Sequence, residues 1–581
     1  MTIVPSRPRI LSSIAVLLLA ASGSALAQTA SQVTPPSFAP DGAQPHLQPI
    51  VTGLPLAPQT PAAGEGQRTV HLREVQLYGS MPALQGASAV MVQRLQNQTV
   101  TIDDIYAAAH ALEAAYAQAG YILMRVDLVP DQIKDDRPLR LNLVSAYIDR
   151  IDIAGVSGRD QARIAATLNP LVGHRDMTLA EIERRLMFAE QPAGTSLRAV
   201  ILPGDVPDAK ILSVDVVTRA ADGFVGVGNG YGSALGRDWV SAGIDINSPS
   251  GYGERFYLRA AGHPSLGDSG FFSSTSRNRV LAAGVVLPLD ITGSSLNLEY
   301  TDARTVAPID DLSTPVSSHY KRLSVRYKTD YIGGRDWMTS QEIGFDATEE
   351  RFGLAGNDTA ALDRLRILRF ANAFAWHVPN SGVLTGRMEF SVGLDKFGAR
   401  SAEEDYENGT TLSRAGSTDT LRKLGLNLDY TQAFTPHLAL DVKGRGQTSF
   451  STPLVYSEML NIASPDGLSS FNWGTLLGDA GYVVRGELSS PWQLSERGVT
   501  IGVIPYLFAG YGAVFRYDAT QYEHSAVHAA DFGVGVRLVS APNFHALGLR
   551  GATVTVELGK QHRDDGRSNA TQLSVTGVMQ F

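Results

Sequence analysis

Three short stretches carry residue types able to do chemistry. Gly267-Asp268-Ser269-Gly270 has the form of a serine-nucleophile motif. A catalytic triad is defined by geometry, however, and no histidine is spaced to serve this serine, which lies in a run of Ser, Gly and Phe. Gly226-Val227-Gly228-Asn229-Gly230 has the glycines of a phosphate-binding turn, but no helical pattern follows to aim a positive N-terminus at a phosphate. Glycines there suit a strand that bends or packs closely. The 12 histidines form no H-E-x-x-H or similar ligand spacing, and the absence of Cys removes thiolate metal sites and disulfides together. No catalytic, cofactor-binding or metal-binding residue is assigned, and no enzymatic activity is expected. The third stretch is GDAGYVVRGELSS, residues 478 to 490, where Arg485 and Glu487 stand in a run that otherwise reads as a half-buried strand.

Strand pleat sorts that run into two faces, Tyr482, Val484 and Leu488 on one and Val483, Arg485 and Glu487 on the other. If the strand crosses a membrane, a charge facing lipid costs about 2–4 kcal/mol at the midplane, so Arg485 and Glu487 must face a lumen. They either line a wet pore or hold something inside it. The elements needed to place them are legible beyond Arg219, where alternation replaces helical periodicity. In the last segment Leu573, Val575, Met579 and Phe581 point one way and Gln572, Ser574, Thr576 and Gln580 the other, apolar outside and polar inside as in a transmembrane barrel. A soluble sandwich has the same period, so connection lengths must decide. About sixteen strands of roughly ten residues, a length suited to tilted membrane strands, begin near Gly223, Trp239, Glu254, Asn278, Ser295, Ser318, Gln341, Ile367, Val383, Thr420, His437, Gly481, Thr500, Val527, Arg550 and Ala570. Connections at 248–253, 290–294, 378–382 and 432–436 are short, and those at 264–277, 304–317, 351–366, 396–419 and 448–480 are long. Short inner turns, long outer loops and an even strand number are the habit of bacterial outer-membrane barrels.

Residues 1–27 have the form of a cleavable secretory signal: Arg7 and Arg9, an apolar run from Ile10 to Ala20, then Ala25-Leu26-Ala27. That run is shorter than the ~20 residues needed to span a bilayer. Residues 28–67 hold eight prolines, a composition that favours an extended, weakly ordered periplasmic linker and leaves open whether it enters the pore. Two small α/β modules follow, at 68–146 and 147–219, ahead of a barrel at 220–581. In the first, Thr101 and Asp104 start a helix with Ile105, Leu112 and Tyr116 on one face, ended by Gly120. In the second, Thr178 to Glu181 is a capping box, and Leu179, Ile182 and Leu186 form the buried face. Charged residues are 18% of the chain, against roughly 25% in a typical soluble domain, and the net charge is −9 with no basic stripe. No nucleic acid partner is expected.

The run AAYAQAGYILMRVDLVPDQ, with Gly120, Tyr121, Pro130 and Gln132, and the later LRAVILPGD resemble the two POTRA domains of two-partner secretion transporters, the haemolysin and filamentous haemagglutinin secretion family. GRDWVSAGIDINSPSGYGERF and ADFGVGVRL are similar to barrel segments of that family. The resemblance implies a transmembrane antiparallel β-barrel of about 16 strands preceded by two POTRA domains. It further implies an outer-membrane location with the POTRA domains in the periplasm, and export of a large unfolded partner protein captured by strand addition to the POTRA edges. Contacts with outer-membrane lipid and with the barrel-assembly machinery, for which the terminal aromatic Phe581 resembles the recognition signal, are implied as well. An insertase of the same superfamily and a passive diffusion porin are the alternatives. In this family the loop at 448–480 folds into the lumen and carries V-R-G-Y near its tip. Counting back from Gly478-Asp479, with Gly481 beyond, that slot falls on Leu468-Ser469-Ser470-Phe471, so the arginine is gone. Its partner, the Asp of F-x-D-x-G, falls on Gly510 of Phe508-Ala509-Gly510-Tyr511-Gly512. Losing both charges is coherent, because an unpaired buried charge commonly costs ~3–5 kcal/mol. The expectation is a variant lock held by Phe471 and Trp473, beside Gly474, with Arg485 supplying a substitute contact to the loop.

Overall fold

A computed structural model describes residues 28–39, 51–52, 60–61, 64–129, 133–206, 208–265, 270–307, 316–334, 336–354, 358–378, 382–400, 410–496, 499–521, 523–540 and 550–581. The signal segment 1–27, Pro130, Gln132 and most of the Gly267–Gly270 motif lie outside the described residues.

Each N-terminal module is a sheet covered by two helices, one more than the sequence suggested. In the first, Gln85–Leu95 and Ile102–Gln118 cover a sheet of Gln98–Thr101, Thr69–Tyr78, Arg137–Ser145 and Met124–Asp127, in that order. Thr101 and Asp104 form a reciprocal capping box, which satisfies two amides that a helix start leaves open. In the second, Gly158–Leu168 and Leu179–Glu190 cover Thr195–Pro203, Ala209–Thr218 and Tyr147–Ala154, again with a capping box, at Thr178 and Glu181. Each helix pair closes a separate apolar core. The extra helices escaped notice because they offer few large apolar residues: Gln85–Leu95 is mostly Gln, Gly, Ser and Ala, and Gly158–Leu168, although its polar and apolar sides are well separated, buries only Ile164, Thr167 and Leu168. Two residues of the upstream segment, Val51–Thr52, add in parallel to the free edge of the second sheet at Ala199 and Val200.

Sixteen antiparallel strands then close a barrel. In order they are Ala221–Gly228, Trp239–Asn247, Arg255–Gly262, Asn278–Pro288, Ser294–Ala307, Val316–Ile332, Trp337–Leu354, Asp358–Val378, Gly382–Gly393, Arg422–Thr435, Leu438–Thr448, Ala480–Ser489 continued by Trp492–Glu496, Val499–Phe515, Ala526–Ser540, Gly551–Arg563 and Thr571–Gln580. The sixth strand shows the inside-out pattern: Leu323, Val325 and Tyr327 are exposed outward, whereas Arg322, Ser324 and Arg326 are buried inward. Trp337 and Trp376, paired across strands seven and eight, and Trp492, stacked on His437, lie near the inner turns, where ring faces suit a membrane interface. The predicted ten-residue length fails for strands five to eight, which run 14, 17, 18 and 21 residues. Much of what reads as loop at 351–366 is hairpin, because its charged residues pair across strands, as Arg364 of strand eight does with Glu349 of strand seven.

The upstream segment is not uniformly extended linker. Residues 28–39 form a tight turn inside the barrel, where Ala30 and Ser31 donate their amides to Ser318 (3.0 Å) and Glu350 (3.1 Å), and Phe38 donates to Glu299 (2.8 Å). Arg322 and Arg326 donate to the carbonyls of Pro35 and Pro36. Buried backbone groups require such partners, and the polar inner wall supplies them; a proline-rich composition could not show that. No helix of the described residues is long and apolar enough to cross a membrane.

Candidate functional site: the inward loop and its wall

Between strands eleven and twelve the chain turns into the lumen. The limbs of this loop touch at a two-residue ladder, Leu460–Asn461 against Leu477–Gly478. Ile462, Ala463, Leu468, Phe471 and Leu476 pack on Val483, Val514, Val527 and Ala529 of the wall. A loop with this much apolar surface must bury it, and the lumen is where it does so.

Three polar anchors fix the loop. At its base, Asp479 is fully buried, pairs with Arg414, and accepts amides from Leu454 and Tyr517, both at 2.8 Å. Gly478 and Gly481 beside it leave no room for a β-carbon, which would meet Val514 and the strand-thirteen backbone. On the descending limb, Glu458 is held by Arg369 at 2.8 Å and Lys423 at 2.7 Å, from strands eight and ten. Arg369 also grips Asp346 at 2.6 Å, and Asp346 is shared with Arg326 at 3.1 Å. A chain of alternating charges therefore runs from the loop to the carbonyl of Pro36 in the N-terminal segment.

The tip is the third anchor. Arg485 is among the largest fully buried side chains. It donates to Ser469 Oγ (2.6 Å), Glu557 (2.8 Å) and Glu487 (2.9 Å), and its guanidinium lies 4.1 Å from the Phe508 ring centroid. Ser469 in turn donates to Glu557 at 2.6 Å, and the Ser470 amide donates to Asp531 at 2.9 Å. Tyr506 and Arg537 complete the cluster through Glu557 and Glu487. Arg485, Gly510 and Asp531 are cross-strand partners in one row over strands twelve, thirteen and fourteen. A β-carbon on Gly510 would meet Asp531 Oδ1 at 2.6 Å and Leu468 at 2.9 Å. The glycine therefore leaves the space that the neighbouring carboxylate and the loop tip fill.

Of the aromatics expected to hold the tip, Phe471 is buried with Arg563 over its ring, while Trp473 lies against Tyr231 and Trp239 (5.3 and 5.7 Å between centroids), beside Gly474, which faces Gln28. Gly120 ends its helix at φ +95° and accepts the Leu179 amide, joining the two modules, and Tyr121 packs edge-on to Tyr116. The Phe581 backbone pairs both ways with Gly223. Sequence reasoning missed Glu458, Arg369, Lys423, Asp531 and Glu557. For Asp531 a signal existed: an acid at lumen parity in ADFGVGVRL, one strand beyond the one searched. Among the described residues no group of His, Asp and Glu is arranged to hold a metal.

A closed sixteen-strand barrel carrying two periplasmic α/β modules and an inward loop defines an outer-membrane transporter of the POTRA-barrel type. The family is given by the sequence. Residues 214–538 match the model of the haemolysin secretion/activation proteins ShlB/FhaC/HecB, and residues 70–145 match the ShlB-type POTRA domain. The chain belongs to the ShlB/FhaC/HecB family: it is a two-partner secretion transporter of the outer membrane, serving a secreted partner protein. Among solved structures it is similar to CdiB from Escherichia coli (16% identity, TM-score 0.66) and CdiB from Acinetobacter baumannii (14%, 0.57), with both chains covered completely in each case. No curated protein sequence matches it.

Proposed function

We propose that this chain acts as a conduit, with no enzymatic step, and that its inward loop is held shut by a lock whose charges have moved onto the wall. Arg485 on strand twelve stands in for an arginine at the loop tip, and Asp531 on strand fourteen stands in for a carboxylate on strand thirteen. The observation that carries this is the bonding of Arg485 to Ser469 and Glu557 across the buried tip. The partner enters unfolded from the periplasm by adding a strand to a POTRA edge, where backbone hydrogen bonds give affinity with little demand on sequence. Val51–Thr52 supports this, since one such edge already accepts an extended segment of the chain itself. The loop and residues 28–39 then leave the lumen, and folding of the partner outside draws the chain through. Lipid contacts the exposed apolar outer face, and the barrel-assembly machinery recognises the last strand ending at Phe581.

Deleting the protein from its bacterium should remove one large exported protein from the medium, and the wild-type chain should restore it. Arg485→Gln should assemble, give larger single-channel conductance in planar bilayers, and secrete less of the partner. Removing one member of a buried pair costs about 3–5 kcal/mol, enough to undock the tip. Normal secretion of every large protein after deletion would overturn the transport reading; unchanged conductance of Arg485→Gln would overturn the lock.

A further inference from the structure

The barrel closes where strand sixteen meets strand one, and this seam is its weakest ladder. Five strand positions pair, from Thr576 opposite Gly228 to Gln580 opposite Phe224, with Phe581 bonded to Gly223 just beyond them, against eight between strands one and two and ten between strands fifteen and sixteen. Beyond Gly228 strand one leaves the wall. Asn229 clips the parting, its side chain donating to the Leu573 carbonyl (3.0 Å) and accepting the Val575 amide (2.8 Å). The chain then turns inward, so that Tyr231 and Leu235 are buried in the lumen with Ala30 and Val33 of the N-terminal segment and Val280, Ala303 and Tyr320 of the wall.

The tip of the inward loop reaches both sides of this parting. On one side Ser469 accepts from Ser574 of strand sixteen (3.5 Å), and Ser470 accepts from Gln561 of strand fifteen. On the other side the Trp473 amide donates to the Gly230 carbonyl (2.9 Å), and its indole packs on Tyr231 and Trp239, themselves 6.5 Å apart. Gly230 has no space for a β-carbon because the indole occupies it. Five residues of loop, 469–473, therefore span from strands fifteen and sixteen to the continuation of strand one.

We propose that the loop tip is an internal brace of the seam, with Trp473 as the positioning residue that holds strand one to strand sixteen at their outer end. Withdrawal of the loop then does two things at once: it clears the lumen, and it leaves the seam with its own short ladder, the Gly223–Phe581 bonds and the Asn229 clip. The wall slackens on the side where the loop was docked, so the passage can widen there while a bulky segment goes through. This rests on the reading that the loop withdraws during transport, but its test needs no transport.

Hydrogen exchange on the full chain in lipid reads the brace directly. In Trp473→Ala, which loses two aromatic pairs, peptides covering 224–230 and 573–580 should exchange faster by at least roughly two- to tenfold, the range set by a single such pair, while peptides covering 382–393 should not change. Trp473→Phe should recover most of the protection. Gly230→Ala, which pushes the indole away without altering the loop, should reproduce the seam-specific acceleration and serves if Trp473→Ala does not assemble. Unchanged exchange at the seam, or equal acceleration over the whole barrel, would overturn the brace. A braced seam in a chain that secretes nothing would sink the transport reading alone.

Discussion

Arg485 sits where a charge is affordable only because its own guanidinium finds partners on several sides. Its guanidinium is shared among two carboxylates, a hydroxyl and an aromatic face, and burying an ion pair is tolerable only with such saturation. Gly510 makes the same point from the opposite direction, as the emptied position between the two relocated charges. Gly510→Asp should destabilise the barrel by about 1–3 kcal/mol, as overpacking does, because the new carboxylate collides with Asp531 and Leu468. Gly510→Asp with Asp531→Gly, which moves the carboxylate back one strand, should recover most of that loss in urea unfolding from detergent. If the double variant is no more stable than the single, the two positions do not share one space. The faces of strand twelve were legible in the sequence, since pleat and the cost of a lipid-facing charge suffice to turn Arg485 inward. Which residues it would meet was not: Glu557 comes from three strands later and Ser469 from a loop whose descent into the barrel only the family resemblance implied.

Turns and ladders set how these elements meet. The inner turn between strands four and five is organised by Asp290, which accepts from the Thr292 and Ser294 amides and from the Thr292 hydroxyl, and Gly293 beside it lies under Phe188 and Gln191 of the second module. Burial alone would raise the Asp290 carboxyl, but the bonds from Ser294 and Thr292 outweigh it and hold it down at about 2. An unfolded aspartate titrates near 3.9, so the stabilisation is complete above about pH 4 and is lost as the pH falls toward 2. Protection of the Thr292 and Ser294 amides should therefore drop over that window relative to Asp290→Asn, in which no such step occurs; parallel profiles would exclude the carboxylate as the organiser. Most strand starts were readable because they follow a turn cluster, but the strand expected at Ile367 begins at Asp358 and the one expected at Gln341 begins at Trp337. Strand ends were not readable, since the hairpins from Ser294 to Val378 extend through polar residues that satisfy one another across the ladder, as His319 does with Asp302 and Arg364 with Glu349.

At the scale of the whole molecule, two bodies occupy the lumen and touch each other. Residues 28–39 and the inward loop share the Asp346 charge chain, and a cavity of about 930 Å³ remains beneath them, lined by Arg322, Arg326, Arg369, Arg387, Glu342 and Glu389. Removing residues 28–39 should enlarge the conductance of reconstituted channels without loss of the folded barrel on cold gels, and adding Arg485→Gln should enlarge it further. Equal conductance of the deleted and complete chains would mean the segment does not obstruct current.

The wall that carries these contacts is of uneven height. The first strand has eight residues and the eighth has 21, so at about 3.3 Å per residue and a tilt near 40° the tallest side rises roughly 50 Å, about twice the apolar band of the membrane. The outer rim is thus a slope, high over strands five to eight and low over strands one to three. A chain leaving the mouth meets a rampart on one flank and a lower rim of strands on the other. Its first residues outside are screened from the surrounding cell surface most on the side of the tall hairpins, which gives the exit a direction.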